Sequence, residues 1–180
     1  MNLNFRKLRK SDLLFYHQIM GDKESMFFIS DKANSLAESE RELYRLVDRY
    51  KFEKKEGIWI FFHSHTDQFI GLVSLIKNEK GEIELMYKVN RQFWGQGFGK
   101  KLAVEAVNLA FELGIPSLFV QTAISNIASV KIIDSLSPLQ IKELQTLSGV
   151  ELYTAYLDTI LMHSKFSEFS TQEKSKLYYL

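Results

Sequence analysis

The chain has 180 residues, 46% of them hydrophobic and 13% aromatic, and a single buried core commonly serves a chain of this length and composition. Its 23 basic and 22 acidic residues nearly cancel, which gives no support for a broad nucleic-acid-binding surface, and the absence of cysteine excludes disulfides, zinc–thiolate sites and a cysteine nucleophile. Residues 1–10 alternate apolar and basic side chains without a continuous apolar stretch, and no segment approaches the roughly 18 apolar residues of a membrane span, so a cytoplasmic protein with no membrane partner is expected.

In chain order, Leu3, Phe5 and Leu8 with polar residues between them predict a short first strand. Ser11 stands as an N-cap before a helix running to about Met20, and Gly21-Asp22 ends it. Ser35 and Glu38 have capping-box spacing, and the helix they open puts Leu43, Leu46, Val47 and Tyr50 on one face. Strands follow at residues 58–62, 69–75 and 83–89, the last with Ile83, Leu85, Tyr87 and Val89 alternating with Glu84, Met86 and Lys88. Residues 100–113 are helical, with Leu102, Ala106, Leu109, Ala110 and Leu113 inward, and Gly114 and Pro116 stop the helix. A short strand at 118–120, a helix at 128–136 and a hairpin of residues 140–147 and 150–160 around Ser148-Gly149 complete the order β-α-α-β-β-β-α-β-α-β-β. Residues 1–160 are expected to form one domain, and 161–180 a polar tail with a short helix capped by Ser170 and Glu173.

Chemistry concentrates in Trp94-Gly95-Gln96-Gly97-Phe98-Gly99-Lys100, between a strand and a helix. Three glycines in five positions remove side chains where a backbone must approach something closely, and N–H groups at a helix N-terminus favour an anion such as a pyrophosphate. Lys100 and Lys101 add positive charge at the same end. A P-loop fits poorly, because Lys100 is followed by Lys101 rather than Ser or Thr, and the mid-chain Gly-x-Gly-x-Gly spacing differs from a dinucleotide fingerprint. A glycine-rich turn without a ligand is the plain alternative.

The segment Phe93-Trp94-Gly95-Gln96-Gly97-Phe98-Gly99 resembles the acetyl-CoA pyrophosphate loop of the GNAT acetyltransferases, most closely the form of the RimJ/RimL-like group, in which Trp94 has its counterpart and alanine is common where Gly99 stands. Asn126-Ile127-Ala128-Ser129 is similar to the family's Asn-x-x-Ser at the start of the next helix. The resemblance covers about residues 3–160. It departs after that helix, where the family usually has Leu-Gly-Phe and this chain has Leu136-Ser137-Pro138.

The resemblance implies an α/β (α+β) fold with a mixed central sheet of about seven strands, flanked by helices and splayed between the fourth and fifth strands. It implies acetyl-CoA as co-substrate, no metal, and transfer of acetyl to a primary amine. The pantetheine arm is expected along the backbone of residues 86–89. The cofactor-binding set is then Tyr87, Lys88, Val89, Trp94, Gly95, Gln96, Gly97, Phe98, Gly99, Lys100 and Asn126, with one strand N–H for the oxyanion. Candidate catalytic residues are Glu84 as base and Ser129 beside the thiol, with Glu151, Asp158, Tyr153 and Tyr156 as further candidates for proton handling. His63 and His65 share a strand face near Asp67 without a wider ligand cluster, so no metal site is expected. Residues 26–28 lie where the family's acceptor-gating loop lies and divide between substrate wall and core. The acceptor is a protein N-terminus or small amine, with a polyamine or aminoglycoside acetyltransferase and a non-catalytic acyl-CoA sensor as the rival readings. A monomer and a homodimer both remain open.

Overall fold

The computed structural model describes residues 2–30, 32–147 and 150–167. Seven strands form one sheet: β1 (Leu3–Lys7), β2 (Gly57–His63), β3 (Phe69–Lys77), β4 (Ile83–Val89), β5 (Ser117–Ala123), β6 (Gln140–Leu147) and β7 (Val150–Asp158). Their spatial order is β1-β2-β3-β4-β5-β7-β6. Strand β3 is the buried centre of the first half, Phe69 to Leu75 being buried without interruption, the continuous apolar run expected of a strand covered on both faces.

All neighbours pair antiparallel except β4 and β5. Those two run parallel and pair at one position among the described residues, Glu84 with Phe119. From there to Val89 the strands diverge, so the backbone edge of β4 faces an opening rather than a partner. This is the expected splay.

Helices cover both faces. On one face, α1 (Leu13–Met20), α2 (Lys23–Met26) and α3 (Leu36–Tyr50) bury Tyr16, Ile19, Met20, Met26 and Leu43 against Ile60, Phe69 and Leu72. On the other, α4 (Phe98–Glu112), α5 (Ile127–Ser135) and α6 (Thr159–Ser167) cover a larger core that includes Phe61, Ile70, Val73, Leu85, Leu102, Ala106, Ile133 and Leu157. The Ser35–Glu38 capping box forms as its spacing requires, with the Ser35 N–H donating to Glu38 at 2.7 Å.

Some local expectations change. Ser11 does not cap α1; Asp12 stands at that position, and its carboxylate accepts from the Arg9 N–H and from both Arg6 guanidinium nitrogens at 2.7 Å. An ion pair across the chain thus displaced a local serine cap. Helix α4 starts at Phe98 rather than Lys100, because Gly97 takes the left-handed cap conformation. The short helix α2 fills part of the segment between the first two expected helices. Strand β7 ends at Asp158, whose carboxylate caps α6 through the N–H groups of Ile160 and Leu161. Ser137 adopts φ 53°, the conformation a glycine favours, at the place where the resembling family has glycine. The turn at Ser148-Gly149 and the tail helix around Ser170 and Glu173 lie outside the described residues.

Candidate active site

The end of β4 is tied down before the glycine segment begins. Asn90 is buried; its N–H donates to the Ile70 carbonyl at 2.8 Å and its side-chain amide to Gln18 at 2.9 Å. A single 3-10 turn (Arg91–Phe93) then turns the chain, and the Trp94 indole N–H reaches back to the Val89 carbonyl at 2.9 Å. Gly95 and Gly97 take φ of 71° and 80°, and Phe98, 3% exposed, plugs the start of α4 into the core. The result is a loop folded over the strand's exit, followed at once by a helix N-terminus. Its first-turn N–H groups have no acceptors within the helix and suit an anion.

These elements border one cleft of about 960 Å³. It brings together Tyr87, Lys88, Val89, Trp94, Gly95, Gln96, Gly97, Phe98, Gly99, Lys100, Asn126 and Ser129, which are eleven expected cofactor residues and one expected catalytic one. Lys101 is not among them. It is 2% exposed inside the core face, where burial lowers its pKa and nearby Glu105 opposes the shift, so Lys100 is the lysine of the pair at the loop. Helix α5 enters through Asn126, whose side-chain oxygen accepts the Ser129 N–H at 3.2 Å; the cap therefore occupies the amide oxygen. The hydroxyl of Tyr87 lies beside Ser129. Burial pushes that hydroxyl's pKa up to about 12, and the Ser129 contact pulls weakly the other way.

The cleft's far wall comes from the segment around α2, where Glu24, Ser25, Phe28 and Ile29 line it. Residues 26–28 thus divide: Met26 is buried in the core, Phe27 points to solvent, and Phe28 forms the wall together with Ile29. Asp22 caps α2 by accepting the Ser25 N–H at 2.9 Å and pairs with Arg91 at 3.3 Å, which links this wall to the turn after β4. Burial alone would raise the Asp22 carboxyl, but the Ser25 and Arg91 contacts outweigh it and hold it low. Glu24, Ser25 and Ile29 carry no motif in the sequence; only their approach to β4 identifies them.

Glu84, Met86 and Lys88 project from the opposite face of β4. The Lys88 amine is buried 3.2 Å from the Met20 thioether; burial lowers its pKa, with Glu42 on α3 acting against the shift. Glu84 sits at the vertex of the splay, opposite Ile76 and Phe119, and is half-buried with a pKa raised by burial. At roughly 3.3 Å per residue it stands about 10 Å back along the strand from Tyr87. It lies outside the cleft's lining. Of the other proton-handling candidates, Asp158 is the α6 cap, the Tyr153 hydroxyl donates to Asp134, the Tyr156 ring packs 5.8 Å from Phe119, and Glu151 is exposed. The rings of His63 and His65 lie 5.9 Å apart, and no group of three or more metal-ligating side chains occurs among the described residues. Nor does any helix among them have the length and apolarity to cross a membrane.

Together these parts can hold a phosphorylated ligand at the α4 N-terminus, run its extended portion along the free edge of β4, and present its reactive end between β4 and α5. Residues 2–136 match the family model for the acetyltransferase (GNAT) domain. An uncharacterized N-acetyltransferase, p20, of Bacillus licheniformis is 22% identical over 138 residues, 75% of this chain and 78% of that protein. Among solved structures, the spermidine N-acetyltransferase of Vibrio cholerae in complex with CoA and spermine has a TM-score of 0.71 at 20% identity, covering 89% of this chain and 98% of that one. A GNAT-family acetyltransferase from Bacillus anthracis has a TM-score of 0.73 at 12% identity, covering 89% and 96%.

Proposed function

The chain belongs to the GNAT acetyltransferase family, and from that premise we propose that it carries acetyl from acetyl-CoA to a primary amine, on a protein N-terminus or a small molecule, by direct attack in a ternary complex. The observation that carries this reading is the convergence of the glycine loop, the α4 N-terminus and the free edge of β4 in one cleft. Acetyl-CoA fits what is there. The pyrophosphate suits the positive-φ glycines and Lys100, and the pantetheine amides suit the β4 backbone at residues 86–89. The buried Tyr87 hydroxyl and Ser129 suit the thioester end. When bound, acetyl-CoA supplies the activated acyl group; the rest is this chain's work. A β4 N–H stabilises charge on the carbonyl oxygen, the family's usual device. Glu84, poised by burial to accept a proton, is the reading's base, reached from the cleft through water.

Trp94 in the aromatic-Trp-Gly-x-Gly-aromatic loop supports placement near the RimJ/RimL-like group, and a cytoplasmic, metal-free enzyme acting as monomer or homodimer is the accompanying reading. A polyamine acceptor is the second reading, favoured by likeness in fold to the spermidine acetyltransferase. The charge of the cleft weighs against it. Among its lining residues Glu24 is the one carboxylate, set against Lys100 and Lys131, and Asp22 is already paired to Arg91.

Calorimetry with acetyl-CoA, on the wild type and on Gly97→Glu, tests the reading. The variant sets a carboxylate where phosphates approach, and at φ 80° it also costs about 1–2 kcal/mol of local strain, so its folding is checked by circular dichroism. Micromolar binding that the folded variant loses supports the site; a wild type that does not bind acetyl-CoA refutes it. A screen of peptide N-termini against spermidine, followed by thiol release, then separates the two acceptor readings.

A further inference from the structure

A second concavity, of about 270 Å³, lies at the outer corner of the sheet, between the end of β1, the start of β2 and the last turn of α3. It shares no lining residue with the acetyl-CoA cleft. Its floor is the outer skin of the smaller core, where Leu8 and Tyr50 are buried and Leu46, Val47 and Ile58 complete an apolar surface. Its rim is cationic. Lys7, Arg9, Lys10 and Lys51 are four of the ten lining residues and none of the ten is acidic, in a chain whose charges otherwise nearly cancel. Nearby carboxylates neutralise part of this charge. Asp48 pairs with Lys10 at 2.8 Å and lies within reach of the charge on Lys51, while Arg9 enters no ion pair among the described residues. Lys7 is held by neutral groups: its amine donates to the carbonyls of Glu53 and Glu56, which engages two of its three N–H donors and leaves its charge in place. Gly57 makes room for that amine, since a Cβ there would stand 3.3 Å from Lys7 Cε and Nζ. Burial lowers the Lys7 pKa, and the Glu53 charge opposes the shift. Counting Asp48 and Glu53 against the four cations still leaves a surplus of positive charge over an apolar floor. Like charges gathered this closely repel, and an anion seated among them removes that cost.

We propose that this pocket is a second ligand site, for a small organic carboxylate with an aryl or alkyl body, its apolar part on Leu8, Val47 and Tyr50 and its charge among Lys7, Arg9 and Lys51. The chemistry follows from the lining. The floor offers apolar surface that a body of matching shape would cover, and burial of that surface supplies the attraction. The volume stands near the lower end of small-molecule sites, about 300 Å³, and suits a ligand of roughly a dozen non-hydrogen atoms. The rim calls for an anion, and the planar fork of Arg9, unclaimed by any acid in the structure, matches a carboxylate with two parallel hydrogen bonds. A single negative charge suits the place better than a phosphate dianion. The last turn of α3 borders the pocket, and a helix C-terminus carries partial negative charge. The site is independent of the acetyltransferase reading, because none of its residues takes part in the cleft.

Backbone amide NMR of the full chain, titrated with 3-phenylpropionate, tests the proposal. Expected are saturating shifts at Leu8, Arg9, Val47, Lys51 and Ile58, with a Kd of about 1 mM, the strength a dozen ligand atoms supply. 3-Phenylpropanamide has the same shape without the charge and should bind about tenfold more weakly. Arg9 and Lys51 are exposed, so Arg9→Glu with Lys51→Glu should leave the melting temperature unchanged. That double variant should weaken 3-phenylpropionate by about tenfold or more and leave the amide's affinity as it was. Acetyl-CoA should bind equally well with the pocket empty or filled. The absence of saturating shifts overturns the site, as do shifts at Gly97 and Asn126 in place of the pocket residues. An amide that binds as tightly as the carboxylate, or phenyl phosphate that binds more tightly, overturns the ligand class. A wild type that binds 3-phenylpropionate here but no acetyl-CoA would refute the acetyltransferase reading and leave this site standing.

Discussion

Replacing Gly71 by alanine should be among the most damaging single-methyl changes in this chain. Gly71 lies on β3 opposite Val89, and a Cβ there would stand 2.2 Å from the Lys88 carbonyl oxygen and 2.8 Å from Leu102 Cδ1. Leu102 can rotate; the carbonyl belongs to the β4 backbone and cannot move without the strand. Relieving the contact needs a shift of roughly 1 Å, which strains the last pairs of the ladder, Gly71 with Val89 and Leu72 with Lys88. Overpacking costs about 1–3 kcal/mol, and two weakened hydrogen bonds add about 0.5 kcal/mol each, so a loss of about 3 kcal/mol is expected. Gly99→Ala is the control. There the added Cβ meets Ile132 Cδ1 at 2.8 Å, the free end of a side chain, and alanine gains about 0.5–1 kcal/mol in a helix. The two terms nearly cancel. Urea unfolding reads both; with a slope near 2 kcal/mol per molar, Gly71→Ala should lower the midpoint by roughly 1.5 M and Gly99→Ala by under 0.5 M. The acetyl-CoA affinity of Gly71→Ala should fall as well, since the displaced backbone is the edge of the cleft. A Gly71→Ala protein within 1 kcal/mol of wild type would refute the argument.

Asp12→Ala should cost about 2–4 kcal/mol by thermal denaturation, because it removes a carboxylate that is 2% exposed and leaves both the Arg6 guanidinium and the Arg9 N–H without it; a loss under 1 kcal/mol would contradict this. Glu84→Gln should stabilise the fold at neutral pH, since burial raises the carboxyl's pKa, the folded state binds more protons, and stability contributed by this group declines as pH rises past 4.5. The same variant should lower acetyl transfer if Glu84 is the base; unchanged turnover would exclude that role. Glu38 behaves oppositely: contacts from Lys32 first and then Ser35 depress its pKa from 4.5 to about 2, so its contribution is present above 4.5 and is lost as pH falls toward 2. Stability measured between pH 2 and 5 should therefore slope less steeply in Glu38→Gln, and identical slopes would show that the capping box contributes nothing through charge.

Local pattern alone was sufficient for much of this molecule. Alternation marks the strand of Ile83 and Val89 because side chains on a strand repeat every two residues whatever surrounds them. Gly95, Gly97 and Gly99 between that strand and a helix, followed by Asn126 and Ser129, are legible because close backbone approach and helix capping are demands met within a few residues. What required the tertiary structure were choices between equivalent local options. Lys100 and Lys101 are adjacent and identical in type, and only the packing of α4 on the sheet decides that the first lines the cleft and the second is buried. Asp12 and Ser11 are both competent caps, and an arginine brought in on β1 settles the matter. Alternation tells that Tyr87 and Lys88 face opposite ways, but not that one meets α4 and α5 while the other meets Met20. Phe28 and Ile29 become a wall because α2 folds toward the end of β4. Short-range order follows from dihedral preference and period, which every residue carries with it. The side chain that finds the cleft is decided by which faces are buried together, and that is a property of the assembled sheet and helices alone.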